Sequence, residues 1–95
     1  MNLMELKYKF NDKIKVKIVE EGDEQIVISH DPESGNIYEF NDVGSEIFLM
    51  VSRSVPVPQI ISSLLEEYDA TIDDIYEDVN LLFDRLLQLG IIFEV

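Results

Sequence analysis

The stretch from Gly35 to Val51, GNIYEFNDVGSEIFLMV, constrains the fold most, because an alternating apolar run stops at Asn41 and an apolar run with helical spacing starts directly after it. In an extended chain Tyr38 and Phe40 share one face of a sheet, with Ile37 and Glu39 on the other. The Asn41 amide is suited to accept a backbone N–H and cap a helix in which Val43, Ile47, Phe48 and Val51 recur at helical intervals. A strand therefore passes straight into a helix over about Asp42 to Ser52, and the register of one ties down the register of the other.

Before this junction, IKVKIVEE alternates Ile14, Val16 and Ile18 with Lys15 and Lys17, which predicts a half-buried strand with a basic outer face. Glu21-Gly22-Asp23 reads as a turn, Ile26 to Ile28 as the middle of a second strand, and Asp31 to Gly35 as another turn. The expectation is a three-stranded antiparallel meander. Its third strand, Asn36 to Phe40, lies at an edge with a row of unpaired N–H and C=O groups. Residues 1–12, where Leu6, Tyr8 and Phe10 alternate with Lys7 and Lys9, fit either a loose arm or an extra strand.

After the junction, Pro56 and Pro58 make a stiff loop, and Pro58 suits the first position of a second helix. Ile60, Ile61, Leu64, Leu65 and Tyr68 give that helix one apolar stripe. Thr71 caps a third helix with Asp74 three residues on; Asp73, Asp74, Glu77 and Asp78 complement its dipole, and Gly90 fits its stop. Around the third helix Leu89, Leu82, Ile75, Leu86, Val79, Ile72, Phe83, Tyr76 and Leu87 fill an arc of roughly 160°, wider than the ~100° that a helix lying on a core needs. Either the whole arc is core, closed by Ile91, Ile92 and Phe93, or part of it faces the edge strand across an apolar groove. An unpaired edge beside such a groove is what β-strand addition by a peptide requires.

At 95 residues and 46% apolar content the chain reads as one folded domain, 1–95, with room for a single modest core. It has no cysteine, which excludes disulfides, thiolate metal sites and a cysteine nucleophile. MNLMELKYKF lacks the apolar stretch of a signal peptide and no run is long enough to span a bilayer, so the expected location is cytoplasmic. The net charge of −13 divides into +3 over residues 1–17 and −16 over the rest. Such a field disfavours nucleic acid and anionic membrane and favours solubility or a cationic partner.

Little supports an enzyme. Ser29, His30 and Asp31 are adjacent, so in a strand they point to alternate faces rather than forming a triad. The acids early in the third helix lack a calcium-binding loop, no glycine-rich phosphate loop occurs, and no metal or cofactor is expected. A ribbon of strands plus three helices also describes a winged helix, but the second helix has no Lys or Arg and the third has only Arg85 against five acids.

Taken together, Tyr38-Glu39-Phe40-Asn41-Asp42-Val43-Gly44 with Ile47 and Phe48, then Ile60 to Asp69, then Asp78-Val79, Phe83, Leu86 and Gly90-Ile91-Ile92 resemble the PqqD-like proteins, also called RiPP recognition elements. The resemblance runs over about residues 14–92. Phe40 stands where that family usually has Leu, and Phe48 where Trp is frequent. The resemblance implies an α+β fold, a three-stranded antiparallel sheet followed by a three-helix, winged-helix-like bundle. It also implies a non-catalytic role: binding the leader segment of a ribosomally made precursor peptide as a fourth strand and presenting it to a separate modifying enzyme, either a radical SAM maturase or a leader peptidase. The residues expected to bind peptide are Asn36, Ile37, Tyr38, Glu39 and Phe40 on the strand, with Asp78, Val79, Leu82, Phe83, Arg85 and Leu86 on the third helix. A homodimer through the bare edge is left open. The alternatives are a small acidic interaction module of the anti-repressor type and, further off, a winged-helix DNA binder.

Overall fold

The computed structural model describes residues 2–95. After a short 3-10 turn at Leu3–Glu5 come β1 (Tyr8–Phe10), β2 (Lys15–Glu21), β3 (Glu24–His30), β4 (Ile37–Phe40), α1 (Asp42–Ser52), α2 (Val57–Glu67), α3 (Ile72–Gln88) and β5 (Ile92–Glu94). The expected meander is present as an antiparallel sheet in the order β2-β3-β4, followed by the three expected helices. Gly22, at φ +62, and Gly35, at φ +77, supply the left-handed residues in the two turns.

Of two features of this frame, the sequence leaves one open, between a loose arm and an extra strand, and misjudges the other. The N-terminal segment is tied down as a strand: β1 pairs antiparallel with β5, Tyr8 opposite Glu94 and Phe10 opposite Ile92. Tyr8 meets Phe83 edge-on at 5.3 Å, Phe10 meets Phe48 edge-on at 5.9 Å, and the Tyr8 hydroxyl donates to the Val55 carbonyl. Burial pushes the Tyr8 phenol up to about 12. The feature that differs is β2, which is not half-buried. Val16 and Ile18 do lie on the same sheet face as Val27 and Phe40, but they overhang the helices and are 38% and 47% exposed.

The junction of β4 and α1 is made in an unexpected way. The Asn41 side chain makes no capping bond. The chain turns instead at Asp42, whose φ of +52 is left-handed, a conformation that Asp tolerates better than most residues. The Ser45 N–H then donates to the Asn41 carbonyl and the Ser45 hydroxyl to the Asp42 carbonyl. Phe40 is thereby pressed onto Phe48, ring centroids 4.7 Å apart.

α2 starts at Val57, with Pro58 at its second position rather than its first. The Thr71 hydroxyl accepts from the Asp74 N–H, as expected. α3 ends in a Schellman turn, in which the Gly90 and Ile91 N–H groups donate to the Leu87 and Leu86 carbonyls, with Gly90 at φ +71. All three helices, both sheets and the 3-10 turn contribute to one buried cluster centred on Phe48, Ile60, Ile61, Leu64, Val79, Phe83 and Leu86.

A candidate peptide-binding edge and its helical wall

β4 is an edge strand, and its hydrogen-bond register determines which of its groups are free. The Asp31 N–H donates to the Asn36 carbonyl at 2.9 Å, so Asp31 and Asn36 form a bonded pair at the turn. Bonded and non-bonded pairs alternate in an antiparallel ladder. Ser29–Tyr38 and Val27–Phe40 are then the bonded pairs, and the N–H and C=O of Ile37 and Glu39 point away from β3. Asn36 contributes nothing to this free edge, because its carbonyl accepts from Asp31 and its N–H donates to the Ser34 hydroxyl.

α3 runs beside this edge. The Arg85 guanidinium carbon lies 5.8 Å from the centre of the Phe40 ring, a cation–π contact joining helix to strand. Seven residues earlier on the helix, Asp78 lines a cavity with Val43, which lies three residues after Phe40. From Phe40 to Val43 the chain therefore runs antiparallel to α3.

The expected site residues sort into three depths. Val79, Phe83 and Leu86 are fully buried and belong to the core beneath the wall. Tyr38 and Leu82 are half-buried and pack against that core, leaving apolar surface accessible. Ile37, Glu39, Asp78 and Arg85 are exposed, Ile37 at 65%, whereas Phe40 is closed off at 4%. Tyr38 on β4 and Leu82 on α3 leave an apolar shelf on these two elements, with Arg85 at Phe40, the last residue of β4, and Asp78 beyond it on the Val43 side.

On that side is a feature that strand and helix periodicity did not single out. Val43, Leu64, Tyr68, Ala70, Ile75 and Asp78 line a half-open cavity of about 140 Å³. It adjoins, through Val43 and Tyr68, an open cleft bordered by Asp23, Glu24, Asp42 and Glu46. The Tyr68 hydroxyl donates to Glu46 Oε1 at 2.9 Å, a bond that holds its pKa up at about 12. A hydrogen bond to the same Glu46 raises the Glu67 carboxyl above the usual glutamate range. No spacing rule brings Val43, at the start of α1, together with Ala70 between α2 and α3, so only the fold reveals this cavity. Among the described residues no helix is long and apolar enough to cross a membrane.

The profile of a protein family described as coenzyme PQQ synthesis protein D (PqqD) matches residues 27–92. No curated protein sequence matches the chain. Two solved structures share its fold. One is TbiB1 in complex with the TbiA(beta) leader peptide, 17% identical, aligned over 88% of this chain and 93% of that one with a TM-score of 0.74. The other is a lasso peptide synthetase B1 complexed with the leader peptide, 20% identical, aligned over 92% and 98% with a TM-score of 0.77.

Proposed function

The chain belongs to the PqqD family, and from that premise we propose that it binds the leader segment of a ribosomally made precursor peptide and delivers it to a separate modifying enzyme. The observation that carries this reading is the free edge of β4 beside α3. Ile37 and Glu39 turn their peptide groups outward on either side of Tyr38, and Leu82 offers half-buried apolar surface on α3. A leader added there as a fourth strand gains main-chain hydrogen bonds from the edge and places alternate side chains on the shelf. Asp78 or Arg85 reads a charged leader residue. The two fold relatives were each solved with a leader peptide, which supports leader binding as the role of this chain.

In this reading the protein is a recognition partner with no catalytic residue and no cofactor, working in the cytoplasm. Its effect is to hold the peptide's modifiable region at the enzyme, which raises the local concentration of substrate by orders of magnitude without chemistry of its own. Either a radical SAM maturase or a leader peptidase fits as the enzyme.

The test is an amide NMR titration with a synthetic leader from a precursor peptide encoded beside this gene. Expected are shifts in residues 36–40 and 78–89, with slowed exchange of the Ile37 and Glu39 amides. Leu82→Glu, which puts a charge on the shelf, is expected to weaken that leader by on the order of a hundredfold. Saturable shifts confined to the acidic surface, or a Leu82→Glu variant with unchanged affinity, would overturn the proposal.

A further inference from the structure

The cavity at the end of the shelf is apolar inside and acidic at its mouth. Val43, Leu64, Ala70 and Ile75 supply its aliphatic walls, and Asp78 stands on its rim. The adjoining cleft adds Asp42 and Glu46, and neither lining includes a Lys, Arg or His. The only ion pair among the described residues, Lys13–Glu33, involves none of these acids. Glu46 is met by the Tyr68 hydroxyl of its own chain instead.

A void of roughly 150 Å³ lined with aliphatic groups accepts a guest the size of benzene, so about 140 Å³ suits one long side chain. An apolar stem ending in a cation matches both the walls and the rim, because Lys and Arg bury their methylenes while keeping the charged head at the mouth. We infer that this cavity seats a lysine or arginine of the bound peptide, its stem among Val43, Leu64, Ala70 and Ile75 and its head between Asp78 and Glu46.

This inference rests on the reading of β4 as the peptide-binding edge, and it fixes where the basic residue stands. Asp78 and Arg85 are about 10 Å apart along the helix, a distance that an extended peptide covers in about three residues. The basic side chain therefore lies about three positions from the leader residue that faces Arg85 and Phe40. Arg85 disfavours a second cation there. The groove thus selects for the position of a basic residue as well as for its presence.

The experiment is a selection of peptides from a randomised display library against the intact protein, followed by amide NMR on the strongest binders. Expected are peptides that protect the Ile37 and Glu39 amides, carry Lys or Arg at one fixed register position, and shift Val43, Ala70 and Asp78. Replacing that Lys with norleucine, which keeps the stem and removes the charge, is expected to weaken binding roughly threefold to tenfold. The same enrichment should vanish when the selection uses the Glu46→Gln/Asp78→Asn variant. Binders that protect the β4 amides without any basic preference, or that bind equally with norleucine, would overturn the cavity assignment and leave strand addition standing. Binders that never touch the β4 amides would overturn strand addition itself.

Discussion

Along one row of the three-stranded sheet, Ile18 of β2, Val27 of β3 and Phe40 of β4 stand side by side, yet Ile18 is 47% exposed, Val27 0% and Phe40 4%. Both outer strands have a free edge. By the same alternation that frees Ile37 and Glu39, β2 turns the peptide groups of Val16, Ile18 and Glu20 outward. What separates the two edges is what lies next to them. β4 has α3 alongside and Phe48 below, whereas β2 extends past the helices and carries Lys15, Lys17, Glu20 and Glu21, the kind of charged edge that discourages pairing. An open backbone edge is therefore not by itself a recognition site. In the proposed function, selectivity comes from the wall beside it.

The largest expected difference between the edges is in stability. Phe40→Ala removes a ring packed on Phe48 and is expected to cost about 3–5 kcal/mol, against about 0.5 kcal/mol for Ile18→Ala at its exposed position. Urea denaturation of the two variants measures this directly, and equal losses would mean that β2 is held by the core after all. A sharper contrast comes from proline, which an edge strand tolerates where its N–H faces outward. Glu39→Pro is expected to lower peptide affinity on the order of a hundredfold while Ile18→Pro leaves it unchanged, as read by calorimetric titration with a peptide that protects the β4 amides. Equal loss from both substitutions would erase the distinction between the edges.

The smallest effect concerns electrostatic strain near the wall, where α2 meets α1. The raised Glu67 pKa, caused first by its hydrogen bond to Glu46, means that the folded chain holds this proton more tightly than the unfolded chain does. The stability it contributes is present below the ordinary glutamate pKa and is lost as pH rises through the raised value. Glu67→Gln, neutral at every pH, is thus expected to raise the thermal midpoint slightly at neutral pH. The gain should disappear at about pH 3, below the ordinary glutamate value. β2 has no counterpart, since a matching Glu20→Gln change relieves no such contact.

Much of this arrangement was legible in the sequence wherever local rules decide it. The period-two and period-3.6 runs located the meander and the helices to within a few residues, and Gly90 marked the end of α3 because its left-handed turn suits glycine. What stayed hidden depends on which surfaces meet. Ile18 obeys the same alternation as Val27, and nothing local records that the helices stop short of it. Val79, Phe83 and Leu86 share an arc with Leu82, and angle around a helix does not report depth. The pairing of β1 with β5 joins segments of three residues each, too short for periodicity to identify as partners. The cavity is built from α1, α2, α3 and the Ala70 connection, a coincidence of four separate segments.

That pairing of β1 with β5 bears on the order in which the molecule assembles. Closing it brings together residues at opposite ends of the sequence, and the entropy lost in closing a loop grows with its length. The Asn11 N–H and side-chain amide, which donate to the Ile91 and Gly90 carbonyls, add to the same clasp. None of these bonds gains much until the helices between them have condensed and fixed Gly90 and Ile91 in place. By this argument the clasp is expected to form late in folding and to open early. The β3–β4 hairpin and α1, joined by neighbouring residues, can assemble with the outward edge of β4 before β1 and β5 have met.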